Sequence, residues 1–363
     1  MTAGLDPETV RQERLHRQLL VGSTATDPTA VVSRLLAMQG QEYAMAFWAV
    51  GLRLADGGPP GAVEAVEAAY DEGRILRLHV LRPTWHLVAA EDLRLVLQVT
   101  ADRVHQANAF MYRRLGLDRP RLDRFIDTVR DLLAGGNHLT RTEIRDALLP
   151  GWAEEKGLQM AYLLMYAELE GVVVNGPRRG KQLTYALLEE RAAPTPQRSE
   201  EEALVEFVRR YLATRAPARV ADLTTWSGLT VAQVRTALAL LGDEVTTVES
   251  DGGAYLLVDA ESRPAGTRSF LMPDYDEYGM AYKDRSALVD PDRATGVAPW
   301  NRFVVVDGVV AGSWQRTLRP GGVTVDVSMA DLAWDDARVV GAAQEYARFL
   351  GRELDLRAAT VEP

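Results

Sequence analysis

In two successive stretches of the chain, hydrophobic residues first recur at helical spacing and then alternate with polar residues. Over residues 138–192, "LTRTEIRDAL" and "LQMAYLLMYAELEGVV" have helical spacing, and "VVVNGPRRGKQLTYAL" then alternates around a basic tip. Over residues 200–260, the helical stretches "EEALVEFVRRYLAT", "RVADLTTWSG" and "TVAQVRTALALLG" precede the alternating stretch "VTTVESDGGAYLLVD", which turns at Asp251-Gly252-Gly253. Helices followed by a hairpin form the plan of a winged helix. The sequence therefore predicts at least two such units, one after the other.

The N-terminal part has the elements of a third unit. In "DPTAVVSRLLAM", Asp27 is the expected N-cap and Pro28 the first helical residue. Helical spacing resumes in "EYAMAFWAVGLRL", and "ILRLHVLRPTWHLV" then alternates around Pro83, which predicts a two-stranded ribbon. A long helix is expected over "AAEDLRLVLQVTADRVHQANAFMYRRLG". The ribbon would serve as the wing of this third unit.

The C-terminal part is rich in predicted strands. "RSFLMPDYDEYGMAY", "RFVVVDGVVAGSWQRTL" and "GVTVDVSMADL" alternate, and an Asp-Gly pair marks a hairpin in the second stretch. We expect a small barrel or sheet here, with "DARVVGAAQEYARFLGREL" closing the chain as a helix. The acidic cluster Asp274, Asp276, Glu277 and Asp284 beside Arg285 suits either a hard-cation site or, as we favour, a carboxylate–arginine network.

Composition excludes several classes of site. The chain has no cysteine, so it has no disulfide and no thiolate ligand, and its five histidines show no metal-ligand spacing. It carries a net charge of −10 and no apolar run of membrane-spanning length. We expect a cytoplasmic protein that needs no metal, no cofactor and no membrane partner.

Two glutamines interrupt an apolar, helix-like run. Gln39 and Gln41 flank Gly40 inside "RLLAMQGQEYAMAFWAVGLRL". Residues i and i+2 of a helix point about 200° apart, but a glycine lets the chain leave helical geometry, so that both amides can face one water molecule. Alternatively, Gln39 caps one helix and Gln41 begins the next. Glu42 is a rival general base, although we favour a place in the first turn of the following helix.

At these residues the sequence resembles the bacterial winged-helix DNA glycosylases of the azinomycin-resistance type. The resemblance spans nearly the whole chain and rests on "MQGQEYAMAFWAVGLR", "RILRLHVLRPTWHLVAAEDL", "RYLATRAPARVADLTTWSGL", "LMPDYDEYGMAYKDRS" and "NRFVVVDGVVAGSWQR". It implies an α+β fold of three tandem winged-helix motifs with a C-terminal β-barrel. We divide the chain accordingly into domains 1–135, 136–195, 196–262 and 263–363.

The resemblance also implies a site. Gln39 and Gln41 match the Gln-x-Gln catalytic signature, although Gly40 replaces its usual aliphatic or aromatic middle residue. Thr84 and His86, which share a strand face by alternation, match a Thr-x-His near the glutamines and would contact the DNA or the abasic product; the alternative is that they satisfy backbone groups. Arg178, Arg179 and Lys181 at the second wing tip suit phosphate contact, and a solvated turn is the alternative.

The implied function is that of a monofunctional DNA glycosylase. We expect it to hydrolyse the N-glycosidic bond of bulky or cross-linked N7-alkylpurines, in repair or in self-resistance to a DNA-alkylating natural product. Its partner would be double-stranded DNA with alkylated purines, and it would act as a nucleoid-associated monomer. Two other functions fit a winged-helix scaffold: a non-catalytic DNA-binding regulator, and a paralogue that sequesters a DNA-reactive compound.

Overall fold

The computed structural model describes residues 5–148, 157–250, 253–258, 268–289, 300–330 and 332–359. The Asp251-Gly252 part of the predicted third-unit turn and the predicted boundary at residue 262 lie outside these residues. No helix within them is both long and apolar enough to cross a membrane. The chain is a mixed α+β structure, in agreement with the predicted class.

The first unit consists of helices followed by a hairpin, with one short strand between the helices. Its elements are α1 (Pro7–Arg17), α2 (Pro28–Leu35), β1 (Met38–Gln39), α3 (Tyr43–Gly51), α4 (Val63–Asp71), β2 (Ile75–Val80) and β3 (Thr84–Ala89). Asp27 caps α2 as expected, because its side chain accepts the Thr29 N–H. The strands form an antiparallel sheet in the order β1-β3-β2, so the predicted ribbon around Pro83 is confirmed. The 22-residue helix α5 (Leu93–Arg114) follows.

The second unit has the same order of elements. It comprises α6 (Arg119–Leu133), β4 (Leu139–Thr140), α7 (Arg141–Leu148), α8 (Gly157–Leu169), β5 (Val173–Asn175), β6 (Thr184–Leu187) and the short α9 (Leu188–Arg191). The sheet order is β4-β6-β5, so the second strand of the hairpin again lies in the middle. Thr140 and Glu143 exchange hydrogen bonds with each other's backbone N–H groups, as the capping-box spacing predicts.

The third unit repeats this plan with an isolated bridge in place of its first strand. It comprises α10 (Glu200–Arg215), α11 (Val220–Ser227), α12 (Val231–Leu241), β7 (Thr246–Val248) and β8 (Tyr255–Leu257). Ala218 pairs with Leu256 of β8, on the edge opposite β7.

A five-stranded sheet with the order β13-β12-β11-β10-β9 forms the C-terminal part. Its elements are β9 (Phe270–Leu271), α13 (Glu277–Met280), β10 (Phe303–Val306), β11 (Val309–Arg319), β12 (Gly322–Met329), α14 (Ala337–Phe349) and β13 (Glu353–Ala358). Helix α14 contacts both edge strands, so the sheet curls around it as half of a barrel. The expectation that a helix closes the chain was wrong, because β13 follows α14 and pairs in parallel with β12.

In the described part of the chain, three large hydrophobic cores hold these parts together. The largest joins the first unit to the C-terminal sheet, through side chains such as Trp48 and Trp314. A second joins β2, the start of α5 and the third unit around Trp226. In a third core, α6 packs with α7 and α8. The first unit therefore lies against both the third unit and the half-barrel.

Candidate functional site

The Gln-Gly-Gln segment is extended and not helical. Helix α2 ends at Leu35, and Met38 and Gln39 pair with Leu87 and His86 of β3. The Gly40 N–H continues this ladder by donating to the Trp85 carbonyl oxygen at 2.7 Å. The predicted departure from helical geometry is therefore confirmed, and its cause is a strand pairing that the sequence did not reveal.

Gly40 lies where two backbones approach closely. A Cβ atom added to it would lie 3.2 Å from the carbonyl carbon of His86, which is tighter than ordinary van der Waals contact. The Gly40 carbonyl oxygen accepts a hydrogen bond from Nε of Arg77 at 2.8 Å. The Arg77 guanidinium also lies 4.1 Å from the ring centroid of Trp85, and burial lowers its pKa. Arg77 thus fixes the middle of the motif from the neighbouring strand β2.

The two glutamine side chains lie in different environments. Gln39 is only 6% exposed, and its amide oxygen has no hydrogen-bond partner in the described part of the chain. Gln41 is exposed, and its amide oxygen lies 3.4 Å from the Trp85 backbone nitrogen, a long hydrogen bond. Glu42, not a glutamine, caps α3 by accepting the Met45 N–H at 3.4 Å. The helix-cap alternative for the glutamines is therefore wrong.

Thr84 and His86 lie on the same face of β3, as alternation predicts. The register places His86 directly opposite Gln39, so the two side chains are cross-strand neighbours. Burial, with a smaller effect of Arg82, lowers the pKa of His86 to about 3. Its imidazole is therefore neutral near pH 7.

The hydrogen bond at Nδ1 fixes the tautomer of His86. Nδ1 lies 3.0 Å from the Thr84 carbonyl oxygen, which can only accept, so we assign the proton to Nδ1 and the lone pair to Nε2. Nε2 of His86 and Oγ1 of Thr84 are buried without a protein partner in the described ranges, like Oε1 of Gln39. Three unsatisfied polar atoms on two paired strands are unusual and fit a ligand or water site.

A buried ionic network fixes Gln39 from a distant part of the chain. The Gln39 N–H donates to Oε1 of Glu277 at 3.0 Å. Oε2 of Glu277 accepts from Nη2 of Arg215 at 2.7 Å and from Nε1 of Trp226 at 2.8 Å. Arg215 also donates to the carbonyl oxygens of Leu35 and Ala37, which precede the motif. Residues of α10, α11 and α13 therefore hold β1 and the residues before it in place.

The rest of the acidic cluster forms ion pairs. Asp276 accepts two hydrogen bonds from Arg53, both at 2.8 Å, and Asp274 pairs with Arg302 at 3.0 Å. The favoured network is therefore confirmed. In the ranges that the structure describes, no group of three histidine or carboxylate side chains could hold a metal ion.

The three cations of the second wing differ in how available they are for contact with DNA phosphates. Arg178 forms ion pairs with Asp71 and Glu67 of α4, and these hydrogen bonds raise its pKa. Arg179 pairs with Glu143 at 2.6 Å but remains 50% exposed. Lys181 is exposed and makes no ion pair within the described residues. The structure thus brings Gln39, Thr84 and His86 together, with Gln41 at their edge. The ion pairs of Arg178 and Arg179 are formed with other residues, in α4 and α7.

Sequence reasoning missed two residues that hold the motif in place. Arg77 is a buried cation in the alternating stretch "ILRLHV". Arginine is rarely buried unless it is paired, so its presence in this apolar stretch was the available signal of a specific contact. Glu277 was placed in a network, but its contact with Gln39, 238 residues away, left no local signal.

Comparisons with known proteins identify a matching family, a relative in sequence and a similar solved structure. Residues 32–349 match the family model described as DNA glycosylase AlkZ-like. The chain is 26% identical over 326 residues to the interstrand DNA cross-link repair glycosylase of Streptomyces sahachiroi, covering 83% of this chain and 85% of that protein. It also resembles the solved structure of the Streptomyces sahachiroi DNA glycosylase AlkZ, with a TM-score of 0.80, 22% identity, and coverage of 98% of this chain and 100% of that one. At this identity, the structural match shows the fold.

Proposed function

The chain belongs to the AlkZ-like DNA glycosylase family, and we propose that it hydrolyses the N-glycosidic bond of bulky or cross-linked N7-alkylpurines, leaving an abasic site. The family assignment favours an enzyme over a non-catalytic regulator. The relative named for interstrand cross-link repair supports the choice of lesion. We also propose that the enzyme acts as a monomer on nucleoid DNA in the cytoplasm, in repair or in self-resistance to a DNA-alkylating natural product.

The single observation that carries the mechanism is the pairing of Gln39 with His86. Oε1 of Gln39 and Nε2 of His86 are acceptors without a partner among the described residues, and they lie on the same face of neighbouring strands. A water molecule that donates its two hydrogens to these acceptors would keep a lone pair free to attack the sugar carbon as the bond to the base breaks. The new sugar hydroxyl would then release its extra proton to solvent water. Gln41, at the exposed end, would stabilise the positive charge that develops on the sugar through its amide dipole.

Neutral groups suffice for this reaction only when the base leaves easily. Most glycosidic hydrolysis uses a carboxylate pair, one of which protonates the leaving group. An N7-alkylpurine already carries a positive charge and departs as a neutral base without a proton. Orientation and electrostatic stabilisation can then supply the few kcal/mol that are needed. The nearby carboxylates are engaged with other groups. Glu42 caps α3, Asp274 pairs with Arg302, and Glu277 accepts hydrogen bonds from Arg215 and Trp226.

We further propose that the three units with a shared element order are winged helices that bind duplex DNA. Thr84, which is partly exposed, would contact the lesion-bearing strand beside the glutamines, and the fully buried His86 would act through its neighbour Gln39. Lys181 and the half-exposed Arg179 would contact phosphates, whereas Arg178 would orient the wing through its ion pairs with α4.

The test is release of a modified purine from DNA. A duplex carrying a nitrogen-mustard adduct at N7 of guanine and a matched duplex carrying uracil are incubated with the protein, and free base is quantified. We expect release from the alkylated duplex alone, and its loss in the Gln39→Ala/Gln41→Ala variant with an unchanged Tm. Retention of activity in that variant, or release of uracil, would contradict the proposal.

A further inference from the structure

The second half of α5 exposes a stripe of basic and aromatic character. Its members recur at intervals of three or four residues, so they lie on one side of the helix. We call this surface the α5 stripe, and it consists of the partly exposed Arg103 and the exposed Gln106, Ala107, Phe110, Arg113 and Arg114. On the opposite side of the helix, Val104, Asn108 and Tyr112 are buried. The stripe is therefore the solvent face of an amphipathic helix.

Phe110 lies at the centre of the stripe. It is 62% exposed, more than any other large hydrophobic side chain in the described part of the chain. A single exposed apolar residue needs no explanation, but this one has arginines on both sides along the helix. Arg103 lies two turns before it, and Arg113 and Arg114 one turn after it.

The cations of the stripe are available to an anionic partner. Arg113 and Arg114 are exposed and make no ion pair in the parts of the chain that the structure describes. Arg103 is held in place, because its Nε donates to the Gly228 carbonyl oxygen at 3.1 Å. Asp102 at the border of the stripe is the nearest carboxylate on the helix, and Asp118 beyond it caps α6. The stripe is therefore positive, although the whole chain has a net charge of −10.

The ends of helices offer a second explanation for two of these arginines. A helix C-terminus has a partial charge of about −0.5, which Arg113 and Arg114 complement. The two positive charges of these arginines exceed the half charge that would neutralise the helix C-terminus. The dipole also gives no reason for an exposed Phe110 or for the anchored Arg103.

The stripe begins beside the end of the sheet that carries the candidate site. Oγ1 of Thr100, one turn before Arg103, lies 3.4 Å from the Leu81 N–H in the turn between β2 and β3. Arg82 in the same turn donates to the Thr225 carbonyl oxygen of α11. Thr84 follows this turn directly, and the ladder brings Gln41 to the same end. From Arg103 to Arg114 the stripe extends about 16 Å, or about five base steps of DNA.

We propose that the α5 stripe is a binding surface for duplex DNA next to the hydrolytic site. Arg103, Arg113 and Arg114 contact phosphates, and Phe110 makes an apolar contact in a groove, as wedge residues do in other DNA-binding proteins. The proposal rests on the DNA glycosylase family assignment, but it does not depend on the roles of Gln39 and Gln41.

The test separates charge from the aromatic contact. Binding to a fluorescein-labelled, undamaged duplex of about two helical turns is measured by anisotropy over a series of salt concentrations. We expect Arg113→Ala/Arg114→Ala to weaken binding and to reduce the slope of log K against log salt by about two. We expect Phe110→Ala to weaken binding by about 10-fold and to leave that slope unchanged.

A matched control removes the same charge elsewhere. Arg338 and Arg357 are exposed, lie in the C-terminal part and form ion pairs with carboxylates. Arg338→Ala/Arg357→Ala should retain the wild-type slope. A stripe variant that binds like this control overturns the proposal. A change in molecular mass in solution for Phe110→Ala, with DNA affinity unchanged, also overturns it and identifies a contact between copies of the chain. Because the duplex is undamaged, neither result depends on base hydrolysis.

Discussion

The backbone N–H of Gln39 donates a hydrogen bond to Glu277 at 3.0 Å, across 238 residues of sequence. The same carboxylate accepts hydrogen bonds from Arg215 and Trp226 and is almost fully buried. The position of the first glutamine is thus determined by the third unit and α13 as well as by its own strand.

Replacement of Glu277 should affect both stability and hydrolysis. Glu277→Gln leaves the Arg215 charge buried without its counter-ion, and we expect a loss of about 3 kcal/mol in the free energy of unfolding. Because the Gln39 backbone loses its charged acceptor, we also expect kcat to fall by about 10-fold with little change in KM. Denaturant titration and single-turnover base release measure the two effects.

Asp92→Asn is the matched control for this prediction. Asp92 is buried and forms an ion pair with Arg210, and its side-chain hydrogen bonds in the described residues go to Arg210 and Ser33, not to β1. Stability should fall in this variant, while kcat of the folded protein stays at the wild-type value. An equal loss of kcat in both variants would show that Glu277 acts on stability alone.

Replacement of Gly40 should separate β1 from β3. In Gly40→Ala the new Cβ meets the His86 backbone at 3.2 Å, and we expect a cost of about 1 kcal/mol in stability and a lower rate of base release. Gly341→Ala in α14 is the control, because no atom of the described residues lies within 4 Å of its added Cβ. That variant should be stabilised by about 0.5 kcal/mol with unchanged activity. Full activity in Gly40→Ala would mean that the close approach is not required.

The low pKa of His86 predicts how stability depends on pH. The folded protein keeps the imidazole neutral down to about pH 3, whereas the unfolded chain binds a proton below its ordinary pKa of 6.5. The stabilisation is thus complete above pH 6.5 and is lost as the pH falls towards 3, by about 1.4 kcal/mol per pH unit at most. Denaturant titrations at several pH values should show a smaller slope in His86→Gln. Equal slopes in variant and wild type would contradict a buried neutral imidazole.

The two kinds of wing cation should respond differently to substitution. Arg178→Ala removes ion pairs with Asp71 and Glu67, so we expect a loss of about 1 kcal/mol in stability, and a double-mutant cycle with Asp71→Ala should show coupling. Lys181→Ala should leave stability unchanged and reduce the salt slope of DNA binding by about one. A stability loss in Lys181→Ala and none in Arg178→Ala would reverse these assignments.

The sequence predicted the elements that depend on local pattern. Alternation around Pro83 predicted the β2–β3 hairpin and placed Thr84 and His86 on one face, and both follow from spacing alone. The Asp27 cap was equally local.

The missed features all depend on partners distant in sequence. β1 is two residues long and forms because Met38 and Gln39 pair with β3. The helical spacing of hydrophobic residues in the same stretch gave no sign of this pairing. The predicted last helix includes Glu353 and Leu354, yet α14 ends at Phe349 and "ELDLRA" pairs with β12. Arg77 and Glu277 contact the motif through the tertiary fold. The catalytic roles of Gln39 and Gln41 and the three domain boundaries stay predictions.

The most direct test compares Gln39 with the carboxylate beside the motif. Single-turnover release of an N7-alkylguanine from one duplex is measured for wild type, Gln39→Ala and Glu42→Gln. Removal of a positioned polar group should slow Gln39→Ala by about 100-fold or more, whereas Glu42→Gln keeps an oxygen to cap α3 and should remain within about threefold of wild type. The opposite pattern, an inactive Glu42→Gln and an active Gln39→Ala, would show that a carboxylate activates the water and would contradict hydrolysis by neutral side chains.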